Sequence, residues 1–141
     1  MDITSLTFGT IQVQDDTIFT FTEGIPGLRN IHRYAIVKPE DAGPFNWLQA
    51  CEEPFLTLMM LDPKLLQPDY SVRIQAQHQA LLGPYQQEDL LVNVLVVVPQ
   101  DPQQMTANLL APIVFNQATR KAAQVVVDGS REMLRVKVFQ G

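Results

Sequence analysis

One cysteine, two histidines and three serines leave this 141-residue chain little material for covalent or metal chemistry. The lone Cys51 cannot form an internal disulfide or a cysteine-built zinc site. His32 and His78 lie far apart, and neither has a second ligand at metal spacing. Glycine is too sparse for a phosphate-cradling loop, because Gly24 and Gly27 in "EGIPGL" frame a turn and not a strand-to-helix junction. Ser5, Ser71 and Ser130 all lie outside any nucleophile-elbow context. No apolar run approaches the roughly 20 residues of a membrane helix. The start, "MDITSLTFGT", lacks the basic and apolar regions of a secretory signal. These absences predict a cytoplasmic protein in a reducing compartment, with no membrane segment, metal or cofactor, and they argue against an enzyme.

Basic side chains are also scarce where a nucleic acid would need them. The net charge is −5, unevenly spread. Residues 1–118 carry five Lys or Arg against thirteen Asp or Glu, whereas residues 119–141 carry five against two. An acidic body repels a phosphate backbone, whose binding rests largely on Lys and Arg displacing counterions. The same charge attracts a basic protein partner, or serves solubility alone. The carboxylate pairs Asp15–Asp16, Glu52–Glu53 and Glu88–Asp89 are adjacent in sequence. Neighbours on a strand point to opposite faces, so these pairs read as turn chemistry and not as acid/base dyads.

What the chain does have is a period of two. Leu6 and Phe8 precede a turn at Gly9, after which Ile11 and Val13 alternate with glutamines. "TIFTF", "YAIV", "FNWLQAC" and "LTLMML" follow, each short and bounded by Pro, Gly or acidic residues. "LLVNVLVVV" (90–98) lacks alternation and reads as a strand buried on both faces, its five valines favouring strand over helix. "QVVV" (124–127) and the alternating "MLRVKVF" (133–139) complete the set. Helix signals are few. Asp62–Pro63 and Asp101–Pro102 each offer a cap and a first-turn proline, and Pro68 stops the first within about two turns. "SVRIQAQHQALLGPY" carries both periods and is left open between strand and helix. The expected fold is one all-β domain over 1–141, a barrel or a sandwich of short, mostly antiparallel strands with one or two short helical turns.

Three stretches stand out. "FTEGIPGL" (21–28) places Pro26 and Gly27 at the centre of a type II turn, either a barrel corner or a presented knob. "FNWLQACEEP" puts Phe45, Trp47 and Gln49 on one face and Asn46, Leu48 and Ala50 on the other. In "MTANLLAPIVFN" (105–116), Met105, Ala107, Leu109, Ala111, Ile113 and Phe115 make one apolar face. Pro112 donates no hydrogen bond, which predicts an edge strand or a bulge. A partner could cover such an edge.

In this order, "FTEGIPGL", "PFNWLQACEEPFL", "LDP" with "PDY", and "VPQDPQQMTANLLAPIVFN" leading into "QVVVD" resemble the flagellar assembly factor FliW family. The resemblance covers about two-thirds of the chain. It departs at the glutamine-rich 71–85 segment and at the end, where "REMLRVKVFQG" extends beyond the short polar tail usual in the family. It implies a non-catalytic partner-switch protein with a β-barrel-like fold, a monomer when free. The resemblance further implies that the protein binds flagellin and allosterically antagonises the RNA-binding translational regulator CsrA, relieving repression of flagellin mRNA without touching nucleic acid itself. On this reading Asn108, Leu110 and Thr106 help form the partner surface, with Trp47, Asp69 and Tyr70 as further candidates chosen by residue type and motif position. The competing reading is a small ligand-binding or catalytic barrel with His32 or His78 and a carboxylate in its mouth. Nucleic-acid binding would need the basic 119–141 segment, whose Arg135 and Lys137 look more like the wet face of a last strand.

Overall fold

A computed structural model describes residues 1–139; Gln140 and Gly141, at the end of the 129–141 segment, lie outside the described residues. The strands are β1 (Asp2–Ser5), β2 (Gly9–Gln12), β3 (Ile18–Phe21), β4 (Arg33–Val37), β5 (Phe45–Ala50), β6 (Thr57–Leu61), β7 (Leu90–Val97), β8 (Thr106–Ala107), β9 (Ile113–Asn116), β10 (Lys121–Gln124) and β11 (Val136–Lys137). One α-helix, α1 (Ala76–Leu82), and short 3-10 turns make up the helical content. Seven strands close a ring in the order β3-β4-β5-β6-β7-β9-β10. All its pairings are antiparallel except the one that joins β10 to β3, where Lys121 and Ala122 face Thr20 and Phe21. The all-β fold expected from the period of two is present, as the barrel that the family resemblance implies.

Alternation sorts the side chains into an inner and an outer set. Phe19, Phe21, Tyr34, Leu48, Met60, Ile113 and Phe115 fill the ring. Phe115 meets Phe19 and Phe21 edge-on at 5.0 and 6.0 Å between ring centroids, and Phe21 meets Tyr34 at 5.2 Å. Edge-to-face pairs of this kind add about 0.5–1.5 kcal/mol each beyond burial. Outside the ring, three layers cover three arcs. The β1–β2 hairpin packs Ile3 and Val13 on Ala35 and Cys51. Helix α1 sets Leu82 against Val114, Ala123 and Val125. The 62–72 segment and the C-terminal stretch bury Leu61, Val94, Ala107 and Leu109 with Tyr70.

Turn chemistry does what the residue types require. The type II turn at Ile25–Leu28 closes with the Leu28 amide donating to the Ile25 carbonyl at 2.7 Å, and Gly27 holds φ at +86°. Ile25 is buried in the core, so this turn is a barrel corner. Gly24 holds φ at +70°, and a Cβ there would stand 2.6 Å from the Arg29 Cα. Asp62 and Asp101 cap their 3-10 turns through the amides of Lys64 and Gln103.

Several sequence expectations are revised. Leu6 to Phe8 form the turn between β1 and β2 and are not strand. The 90–98 run is not buried on both faces: Leu91 and Val97 are exposed, because the outer layers cover only its centre. The 133–139 stretch is a 3-10 turn over Arg131–Arg135 followed by the two-residue β11. The open 71–85 segment contains α1, and β10 starts at Lys121, ahead of "QVVV". Residues 105–116 do not form one edge strand. They break into β8, paired with β7 and β11, and β9, paired with β7 and β10, so neither lies at an edge. Pro112 is buried in the break. Its carbonyl still accepts from the Val125 amide at 2.9 Å, but it has no N–H to return, and the β9–β10 ladder ends beside it.

The Tyr34 hydroxyl is buried in the ring without a hydrogen-bond partner among the described residues. Tyr34→Phe removes that unpaired group and is expected to raise stability by about 1 kcal/mol in urea unfolding. Burial also pushes the Tyr34 phenol from its usual 10.0 up to about 12. The folded state therefore favours the neutral phenol, so stability is intact below pH 10 and falls as pH rises towards about 12. The same substitution should flatten that alkaline loss.

Candidate partner-binding surface

The centre of the candidate surface is the five-residue excursion Asn108–Pro112 between β8 and β9. Its four amide N–H groups and the carbonyls of Leu109 to Pro112 are all matched. The Asn108 amide donates to the Leu95 carbonyl at 3.0 Å and the Leu109 amide to the Met133 carbonyl at 2.7 Å. Asn108 Oδ1 accepts from the Leu110 and Ala111 amides at 3.1 and 3.0 Å, an Asx turn in place of a strand ladder. The carbonyls of Leu109, Leu110, Ala111 and Pro112 accept from Tyr70 Oη, the Val127 amide, Gln124 Nε2 and the Val125 amide. Such complete matching is the condition for keeping an irregular loop partly buried.

Tyr70 and Asn108 thus meet through one loop. Tyr70 is 4% exposed, and its hydroxyl donates to the Leu109 carbonyl at 2.6 Å. Burial lifts that phenol to about 12, so it remains a donor at neutral pH. Asp69, its neighbour, is exposed. Leu110 and Thr106 are half-buried, and around them stand Val97, opposite Thr106, and Val126, both 64% exposed. Asn108 and Tyr70 set the shape; Thr106 and Leu110 face outward with the two valines.

Trp47 lies elsewhere. It sits on β5, separated from β8 by β6 and β7, and pairs with Val37 and Met59. Phe8 packs edge-on to its ring at 5.8 Å. Leu6 is 76% exposed and Phe55 is 65% exposed, and the Leu6 amide donates to the Pro54 carbonyl, which brings the two side chains to one corner. Sequence reasoning missed this corner because Leu6 and Phe8 read as strand. The signal was present in "TSLTFG", where Ser5 Oγ accepts the amides of Thr7 and Phe8 to start a turn. Beneath it, Ser5 Oγ donates to the fully buried Gln49 Oε1 at 2.7 Å, and Thr57 bonds the same oxygen.

The groups proposed for chemistry are dispersed. His32 Nδ1 lies 2.8 Å from the Phe21 carbonyl, while His78 belongs to α1. Among the described residues no three His, Cys, Asp or Glu side chains stand close enough together to hold a metal ion. Burial, with Glu52 nearby, raises the Cys51 thiol to about 11, so it is protonated at neutral pH. Exposed Arg33, whose carbonyl accepts from the Cys51 amide, pairs with Glu52 beside it. Among the described residues no helix is long and apolar enough to cross a membrane.

A closed seven-strand barrel with exposed apolar corners and a well-matched connecting loop defines a small, mostly antiparallel β-barrel class. Within that class, residues 2–138 match the FliW protein family, and the chain belongs to it. It is 38% identical over 127 residues to the flagellar assembly factor FliW of Thermotoga neapolitana, covering 89% of this chain and 85% of that one. It is 30% identical over 141 residues to the protein of the same name from Caldanaerobacter subterraneus subsp. tengcongensis, covering 99% and 94%. A crystal structure of the flagellar assembly factor FliW superposes with a TM-score of 0.88 at 26% identity, over 100% of this chain and 99% of that one.

If Asn108 is a shaping residue, Asn108→Ala leaves two amides of a half-buried loop without an acceptor. Urea unfolding should show a loss of about 1–3 kcal/mol. Thr106→Ala, at a position whose side chain makes no such bond, should stay within about 0.5 kcal/mol.

Proposed function

We propose that this chain is a cytoplasmic, non-catalytic flagellar assembly factor that switches between two protein partners. It binds flagellin, and when free of flagellin it binds the translational regulator CsrA and antagonises it allosterically. The observation that carries this reading is the family match over residues 2–138, together with full-length likeness to proteins named as flagellar assembly factors. The partner surface includes Leu110 and Thr106, framed by exposed Val97 and Val126, with Asn108 and Tyr70 holding the loop and exposed Asp69 beside Tyr70; Trp47 belongs to a separate corner with Phe8. The acidic body, thirteen carboxylates against five basic side chains over residues 1–118, supports attraction of a basic RNA-binding partner. Nucleic acid and membrane take no part.

The test is calorimetric competition between the two partners from the same bacterium. CsrA is expected to bind the free protein and to lose that binding when flagellin is saturating. Affinity for CsrA should fall as salt rises from 50 to 300 mM, through screening of the acidic surface. Leu110→Glu should keep the fold and weaken at least one partner tenfold or more. Tight binding of both partners by that variant would remove the 106–110 surface from the reading, and failure of the wild type to bind either would remove the switch.

A further inference from the structure

The ring has an opening in its wall, and its cause can be read from two prolines and the register. Along β7 the odd-numbered residues turn their backbone groups towards β8 and β9. The Leu95 carbonyl accepts from Asn108, and the Val125–Pro112 bond fixes the even residues of β9 towards β10, leaving Ile113 and Phe115 to bond Asn93 and Leu91. The even-numbered residues of β7 therefore face β6. There the pairing stops at Leu61–Val94. One more step of the same register would set Pro63 opposite Val92. Pro63 has no N–H to give, and its carbonyl is already taken by the Leu66 and Gln67 amides at 3.0 and 2.9 Å. Among the described residues, the Val92 N–H and C=O have no hydrogen-bond partner, whether backbone or side chain, beyond the barrel strands.

These two groups open on a cleft of about 830 Å³, within the size range of binding pockets. Leu90 to Asn93 line one side, Asn46 and Ile36 reach it from the ring, and the 62–65 and 70–74 segments form the far wall. Asn46 Nδ2 donates to Asn93 Oδ1 at 3.0 Å and so closes the bottom. A donor and an acceptor presented side by side on a strand edge match the backbone of an extended peptide. The four β7 residues that line the cleft span about 13 Å, room for a segment of similar length. Charge narrows the occupant further. Lys38 and Lys64 are the cationic residues of the lining, and neither is in an ion pair among the described residues. Among the described residues Asp62 is the only carboxylate there, and its Oδ1 already accepts from the Lys64 amide. The cleft is thus a net-positive site on a net-negative protein. Neither His32 nor His78 lines it.

We infer that this cleft receives an extended, carboxylate-bearing segment of flagellin, which adds as a strand to β7 at Val92 with its acidic group between Lys38 and Lys64. The inference rests on the flagellin binding proposed above and places it on a different surface from the 106–110 loop.

The experiment uses full-length flagellin from the same bacterium and overlapping peptides of about twelve residues that cover its sequence. Binding is read by fluorescence anisotropy, and the exchange of the Val92 amide with solvent deuterium by NMR. Flagellin and at least one carboxylate-bearing peptide should bind, slow Val92 exchange at least tenfold, and lose tenfold or more in affinity to the Lys38→Glu/Lys64→Glu variant. Val92→Pro deletes the cleft-facing donor while leaving the Leu91 and Asn93 bonds to β9, and should weaken the same ligands. If that variant does not fold, the exchange measurement on the wild type decides. Flagellin that binds with Val92 exchange unchanged and full tolerance of the lysine reversals would overturn the cleft and leave the proposed function standing. Absence of binding by flagellin and by every peptide would overturn both.

Discussion

The structure depends on one strand being longer than its neighbours. β7 has eight residues, and no single partner runs beside all of them. On one side it pairs first with β9 and then, beyond the Asn108–Pro112 excursion, with β8. On the other it meets β6 only at Val94 and Leu95. That arrangement closes the ring, hangs the β8–β11 ribbon from its end, and leaves the opening at Val92. The outer layers follow from it, because Leu61, Val94, Ala107 and Leu109 share one hydrophobic cluster only where β6, β7 and β8 lie side by side.

Proline shapes both interruptions by the same physics with opposite results. Pro112 loses a return bond to Val125, yet the chain around it is rescued by Asn108, Gln124 and Tyr70, which match the neighbouring groups. Pro63 ends β6 without such a rescue on the β7 side, since its carbonyl turns into its own 3-10 turn. A satisfied interruption is a rigid loop with a defined outer face. An unsatisfied one is a place where another backbone gains by arriving. The molecule presents both within the reach of one strand.

Much of this was legible in the sequence because it is local. Alternation in "TIFTF", "YAIV", "FNWLQAC" and "LTLMML" gave four ring strands, and Asp62–Pro63 and Asp101–Pro102 gave their turns. Alternation also separated Leu48 and Ala50 from Phe45 and Trp47, but did not say which of the two faces is the core one, the side of Leu48 and Ala50. Long-range pairing was not legible. The "MTANLLAPIVFN" stretch keeps perfect alternation yet changes partners midway, because an asparagine side chain outcompetes the ladder for two amides. "MLRVKVF" alternates too, but Leu109 bonds the Met133 carbonyl and the chain there coils instead of extending. Of the candidate site, residue types marked Asn108, Leu110 and Tyr70, while the lysines beside Val92 carried no signal. Their meaning comes from a strand that ends opposite them.

The lone parallel pairing has a consequence in time. It joins Thr20 and Phe21, near the start of the chain, to Lys121 and Ala122, near its end. Phe19 and Phe21 reach Phe115 only when that seam exists. At about 5–20 residues per second of synthesis, the intervening hundred or so residues take roughly 5–20 s to leave the ribosome. Through that interval the early strands can form hairpins but no enclosed interior. The protein must therefore complete itself late and all together, with the apolar side chains of its half-barrel uncovered until the seam closes.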